Sequence, residues 1–212
     1  MIDEARLCRT GPMDAATVLV LAHGAGAGMD HPFMEQVAQG VAAGGFGVVR
    51  FEFPYMHKRR LTGGRRPPDR APVLDAFYES VLETLGTPQR LVIGGKSMGG
   101  RVASRIADAA GVRGLVCLGY PFHPPRKPEK LRTAHLAELL CPTLIVQGTR
   151  DPFGTREEVP DYALSDSISV CWVPDGDHGF VPRRRSGHTE AENMALAIAA
   201  VVEFLETLSH EG

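Results

Sequence analysis

The chain has 212 residues, 43% of them hydrophobic and 23% charged, and a formal charge of −2 at pH 7. That length supports one sizeable core and is short for two, and the charge balance excludes the global basic footprint of a nucleic-acid-binding protein. No stretch reaches the uninterrupted apolar length of a membrane span. The first thirty residues include Asp3, Glu4 and Arg6 and lack the apolar core of a signal peptide. Cys8, Cys117, Cys141 and Cys171 show no C-x-x-C spacing, so the expectation is reduced thiols in a cytoplasmic protein.

In chain order, Thr17–Ala22 is a short apolar run, as expected of a strand buried on both faces. It breaks into His23-Gly24-Ala25-Gly26-Ala27-Gly28-Met29-Asp30. The dinucleotide fingerprint G-x-G-x-x-G fails there because position 29 is methionine. A flexible turn would satisfy this composition. So would a loop whose small residues bring backbone amides up to a substrate carbonyl, which is the reading adopted. Asp30 before Pro32 predicts a helix start, with Phe33, Val37 and Val41 on the apolar side and Gly44-Gly45 at the end.

Phe46–Phe53 reads as a second strand, closed by Pro54. From Met56 to Arg70 the chain reads as a cationic loop rich in glycine and proline. It is either solvated surface or an anion-recruiting rim, with Arg65 and Arg66 towards substrate. Without interleaved aromatics it does not suit nucleic acid. Val73–Leu85 has a helical pattern, and the β-branched run from Leu91 leads into a helix from Met98 to about Ala110. Arg113–Tyr120, Thr143–Gly148 and Ile168–Val173 complete the strands, and a helix from about Thr189 to Leu208 ends the chain. Alternating strands and helices predict a doubly wound, mainly parallel α/β sheet of about six to seven strands, in one domain over residues 1–212.

Gly95-Lys96-Ser97-Met98-Gly99 fits G-x-S-x-G, a serine on a sharp strand-to-helix turn whose flanking glycines leave room for the neighbouring backbone. Gly95-Lys96-Ser97 also supplies the end of a phosphate-binding loop, but the glycine required five residues earlier is Arg90. Asp151 and His178 each follow a later strand-like run, giving the order Ser…Asp…His. In an open parallel sheet such residues converge from loops at the carboxyl ends of strands. A serine nucleophile needs a histidine to take its proton, and a carboxylate to hold that histidine's tautomer. The backbone N–H groups of Met98 and Ala25 are the expected oxyanion donors. Asp175 and Asp177 share the histidine's own loop and are expected to make turn hydrogen bonds around Gly176. His23, His31, His57 and His123 show no convergent metal spacing, so neither metal nor cofactor is expected.

With these residues in view, the chain resembles an α/β-hydrolase over nearly its whole length, within the small dienelactone-hydrolase-like branch. The resemblance rests on His23-Gly24-Ala25-Gly26, Gly95-Lys96-Ser97-Met98-Gly99-Gly100-Arg101, Tyr120-Pro121-Phe122-His123-Pro124-Pro125 and Gly148-Thr149-Arg150-Asp151. Dienelactone hydrolases proper use cysteine where this chain has Ser97, so their substrate is not carried over. About twenty residues separate Tyr120 from Thr143, too few for the helical cap many members insert. The resemblance therefore implies an open, shallow site bordered by Phe122, Phe153 and the basic loop, with His23 and Gly24 against a small-molecule substrate. The expected activity is a serine hydrolase cleaving an ester or thioester. The alternative is a scaffold retaining the fold, because the same branch includes a hydrolase-like domain in a subunit of a eukaryotic chromatin-modifying complex.

Overall fold

The computed structural model describes residues 6–210. Its strands are β1 (Leu7–Thr10), β2 (Val18–Ala22), β3 (Gly47–Phe51), β4 (Leu91–Lys96), β5 (Gly114–Leu118), β6 (Thr143–Gly148) and β7 (Ile168–Val173). Its α-helices are α1 (Pro32–Ala43), α2 (Pro54–Thr62), α3 (Ala71–Leu85), α4 (Met98–Ala110) and α5 (Glu190–His210). The strands form one seven-stranded sheet in the order β1-β3-β2-β4-β5-β6-β7. Every pairing is parallel except that of β1 with β3.

Side chains of a strand alternate between faces, and the two faces carry two apolar layers. Val18, Val20, Ala22 and Ile93 pack with Leu74 and Tyr78 of α3 and Val102 and Ile106 of α4. Leu19, Leu21 and Val92 pack with Val37 and Val41 of α1 and Val201 and Leu205 of α5. Both faces of β2 are therefore covered, which is why it reads as a continuous apolar run rather than an alternating one. At the start of α5, the Glu192 N–H donates to Thr189 Oγ1 at 3.2 Å and the Thr189 N–H donates back to Glu192 Oε2 at 2.8 Å, a reciprocal cap.

Three local expectations need correction. β1 lies outside the expected strands: four residues on a sheet edge, three partly buried and Arg9 exposed, carry neither an apolar run nor a clear alternation. The cationic stretch is not all loop, because α2 begins at Pro54 and runs to Thr62. Proline at its first position, Arg59 and Arg60 in its last turn and Gly63 at φ 69° are start and stop signals that the charge run concealed. α1 is capped by His31 rather than Asp30: the His31 ring accepts the Phe33 N–H at 3.3 Å, while Asp30 pairs with Arg60 at 2.9 Å.

Candidate active site

β4 passes into α4 through Ser97, whose backbone sits at φ 52° and ψ −112°. A non-glycine residue there stores about 1–3 kcal/mol of strain. Two anchors hold it: its N–H donates to the Leu118 carbonyl at 3.0 Å, and its carbonyl accepts the Arg101 N–H at 3.0 Å. The flanking glycines answer to the adjoining strand. A Cβ on either Gly95 or Gly99 would collide with the Ala22 carbonyl oxygen at the end of β2, and one on Gly99 would also lie 2.8 Å from the His23 carbonyl.

The loops after β6 and β7 bring two further side chains to this serine. Ser97 Oγ lies 2.8 Å from His178 Nε2, and His178 Nδ1 lies 2.7 Å from Asp151 Oδ2. An ionised carboxylate only accepts, so Nδ1 carries the proton and Nε2 is left to accept the serine hydroxyl. Asp151 is fully buried, and its other oxygen accepts the Phe153 N–H at 2.9 Å. Gln147, also fully buried, ties this loop to the segment after β5: it accepts the Tyr120 N–H at 2.7 Å and donates to the Gly154 carbonyl at 3.0 Å. The Phe153 ring lies against the imidazole with centroids 4.3 Å apart.

The two aspartates beside the histidine serve its loop. Asp177 Oδ1 accepts the N–H of Gly179 at 2.8 Å and of Val181 at 3.0 Å. Asp175 pairs with Arg150 and Arg183, and the hydrogen bond from Arg183 above all holds its carboxyl at about 2. Among the described residues, no group of three or more His, Cys, Asp or Glu side chains is arranged to hold a metal ion.

A cavity of about 360 Å³ opens at Ser97 and His178. Its wall is mostly apolar: the 24–28 loop, Phe33 and Met34 of α1, and Phe153, with His31 and Lys96 as the polar members besides Ser97 and His178. Gly24 and Ala25 therefore lie at the cavity, and Met98 opens α4 directly behind the serine. Other expected substrate contacts lie elsewhere. Phe122 is fully buried, packed between Tyr120 and Tyr162, because the chain turns inward after β5. His23 is also fully buried: its Nε2 accepts the Phe53 N–H at 3.1 Å and its Nδ1 is 2.7 Å from the Gly24 carbonyl. Burial lowers its pKa and keeps it neutral, a brace between strand ends. Arg65 and Arg66 are exposed beyond α2 and are not part of the cavity wall.

Residues not anticipated from sequence hold the 24–28 loop. The Tyr55 hydroxyl lies 3.3 Å from the Gly24 carbonyl and 3.0 Å from that of Ala25, and Arg59 Nη1 donates to the Gly26 carbonyl at 3.0 Å. Arg60 bridges Asp30 of the loop to buried Glu52, its Nε 3.0 Å from the Glu52 carboxylate and its Nη2 closer still. These charges line a second hollow, of about 320 Å³, which shares the Gly26–Gly28 backbone as a wall with the first. No periodicity signals such contacts, since they join positions brought together only by the fold.

No helix among the described residues is long and apolar enough to cross a membrane. A monoacylglycerol lipase from Paleococcus ferrophilus superposes with a TM-score of 0.69 at 16% identity, covering 95% of this chain and 98% of that one. A serine hydrolase without a lid from Xanthomonas campestris gives 0.65 at 19% identity, over 97% and 88% of the two chains. A dienelactone hydrolase from Anabaena variabilis gives 0.65 at 20%, over 96% and 90%. At these identities the likeness is one of fold. At the level of sequence, the model of the alpha/beta hydrolase domain matches residues 15–206, and with all but the two ends of the chain inside that match the protein belongs to the alpha/beta hydrolase family.

Proposed function

We infer that the protein is a serine hydrolase that cleaves an ester or thioester of a small acyl substrate through an acyl-enzyme on Ser97. The observation that carries this reading is the unbroken hydrogen-bonded chain from Ser97 Oγ through His178 to buried Asp151. Ser97 attacks the carbonyl carbon while His178 Nε2 takes the hydroxyl proton and passes it to the departing alcohol or thiol. Water then repeats the sequence on the acyl-enzyme, and Asp151 stabilises the imidazolium formed each time.

The developing oxyanion is assigned to the N–H groups of Met98 and Ala25. The first amides of a helix have no intrahelical acceptor, which leaves that of Met98 for a ligand. In a trans peptide the N–H and C=O point in opposite directions. With the Gly24 carbonyl turned to Tyr55, the Ala25 N–H is turned away from it. One such donor is worth about 2.7–4 kcal/mol in the transition state. The apolar wall suits a short, neutral acyl group rather than an anionic one.

A fluorophosphonate probe is expected to label Ser97, and short-chain p-nitrophenyl esters or acyl thioesters to turn over. Ser97→Ala should abolish both. Absence of labelling in the wild-type protein, with no hydrolysis across the ester panel, overturns the reading.

A further inference from the structure

Lys96 is the residue immediately before the serine, and its side chain is partly buried, folded back against the loop after β7 at the cavity wall. Its ammonium donates a hydrogen bond to the backbone carbonyl of His178, and lies 5.3 Å from the centre of the Phe33 ring and 5.6 Å from that of Phe180. Gly119, at φ 67° after β5, makes the space: a Cβ there would lie 2.6 Å from Nζ and 3.3 Å from His178 Nδ1. An ammonium drawn even partly out of water is normally paired with a carboxylate. Here the charged or titratable groups facing it are Asp151, from the loop after β6, and Asp177 and His178 on the loop it grips. α1 sets the Phe33 ring beside it, and the turn after β5 sets the bare backbone of Gly119 there.

We propose that Lys96 is the positioning residue for His178, its ammonium clasped between a backbone carbonyl and two aromatic faces so that the imidazole stays seated over Ser97. The role rests on the serine-hydrolase reading and extends it by naming what holds the base. The loop after β7 is tied to its surroundings through Asp175, which pairs with Arg150, and through buried Phe180, but among the contacts described above the Lys96 bond is the one made to the backbone of His178 itself. A cation–π clasp requires the charged form, and a neutral amine donates a weaker hydrogen bond than an ammonium. Burial lowers the Lys96 pKa to about 8, against the opposing pull of Asp151 and Asp177. The clasp is therefore set at neutral pH and released as pH rises through that value.

The test uses Lys96→Met, which keeps length and apolar bulk while removing charge and donor. Its p-nitrophenyl acetate kcat should fall on the order of 100-fold with KM within about threefold, since a displacement of about 1 Å at the base is enough for that loss. Its Tm should stay within about 4 °C of wild type, because the lost contacts of a partly desolvated charge are offset by an apolar chain of similar length; a purely structural lysine would lower Tm further and leave the pH profile alone. Independently of any variant, the rate of Ser97 phosphonylation by a fluorophosphonate in the wild-type protein should decline above about pH 8, an alkaline limb absent from Lys96→Met. A wild-type rate that stays level to about pH 10 overturns the proposal, even if the variant fails to fold. Labelling and turnover of Lys96→Met at wild-type rates overturn it while leaving the hydrolase reading intact. A wild-type protein that is never labelled overturns both.

Discussion

Asp151→Asn is the substitution whose consequence can be followed atom by atom. The wild-type carboxylate accepts at both oxygens, from His178 Nδ1 at 2.7 Å and from the Phe153 N–H at 2.9 Å. Asparagine offers a single acceptor for these two donors. If its oxygen faces His178, its amide group opposes the Phe153 N–H in a site with no solvent exposure, at a cost of about 1–3 kcal/mol for the unsatisfied donor. The backbone cannot change its proton, whereas an imidazole can change tautomer. The favoured arrangement therefore gives the oxygen to Phe153 and forces the His178 proton onto Nε2, where it cannot accept from Ser97. A wrong tautomer lowers the rate about 10⁴-fold, or about 5.4 kcal/mol at 1.36 kcal/mol per decade. The assay is kcat/KM for p-nitrophenyl acetate, normalised to folded protein. The control is Asp177→Asn, whose amide oxygen still accepts from Gly179 and Val181 and which should stay within about threefold of wild type, as substitutions that keep their hydrogen bonds do. A loss of less than about tenfold in Asp151→Asn, or an equal loss in Asp177→Asn, refutes the reasoning.

Gly99→Ala drives a methyl into the backbone end of β2 and should cost about 2–3 kcal/mol. A Tm lowered by about 4–12 °C would report it, and an unchanged Tm would contradict it. Arg60→Met strands Glu52, which is 2% exposed, and frees Asp30, for a loss of about 2–3 kcal/mol near neutral pH by denaturant unfolding. Asp30 has its pKa lowered chiefly by the hydrogen bond from Arg60, so its share of that loss is present above about pH 4 and disappears as pH falls through its folded value. The gap between wild type and variant should therefore narrow in acid; a gap that widens contradicts the assignment. Arg65→Ala combined with Arg66→Ala should leave the ratio of kcat/KM for carboxylated and neutral esters within about twofold, because exposed charges away from the wall are screened. A larger change would return the rim to the substrate.

Much of the architecture is legible in the sequence because its parts obey local rules. β2 and β4 announce themselves as apolar runs closed by glycine, and Ser97, Asp151 and His178 each stand just past such a run, where an open parallel sheet collects its loops. The missing parts are those fixed by the whole fold. Phe122 looks like a rim aromatic by its place after β5, yet the chain turns it into the core. Phe33 reads as an ordinary apolar helix position, and the fold sets it both on the cavity wall and beside Lys96. Lys96 reads as part of a failed phosphate loop until the His178 carbonyl is seen to lie within its reach. α2 is hidden for a simpler reason: a run of cations obeys the helix start and stop rules while having almost no apolar face.

The Gly26–Gly28 backbone separates an apolar room from one furnished with Asp30, Glu52, Arg59 and Arg60, and it is a single chain thick. Charges exchanged on the outer side alter the field inside the cavity through a few ångströms of peptide, while the inner side keeps its shape. The field at Ser97 and His178 is thus adjustable from residues that do not line their cavity.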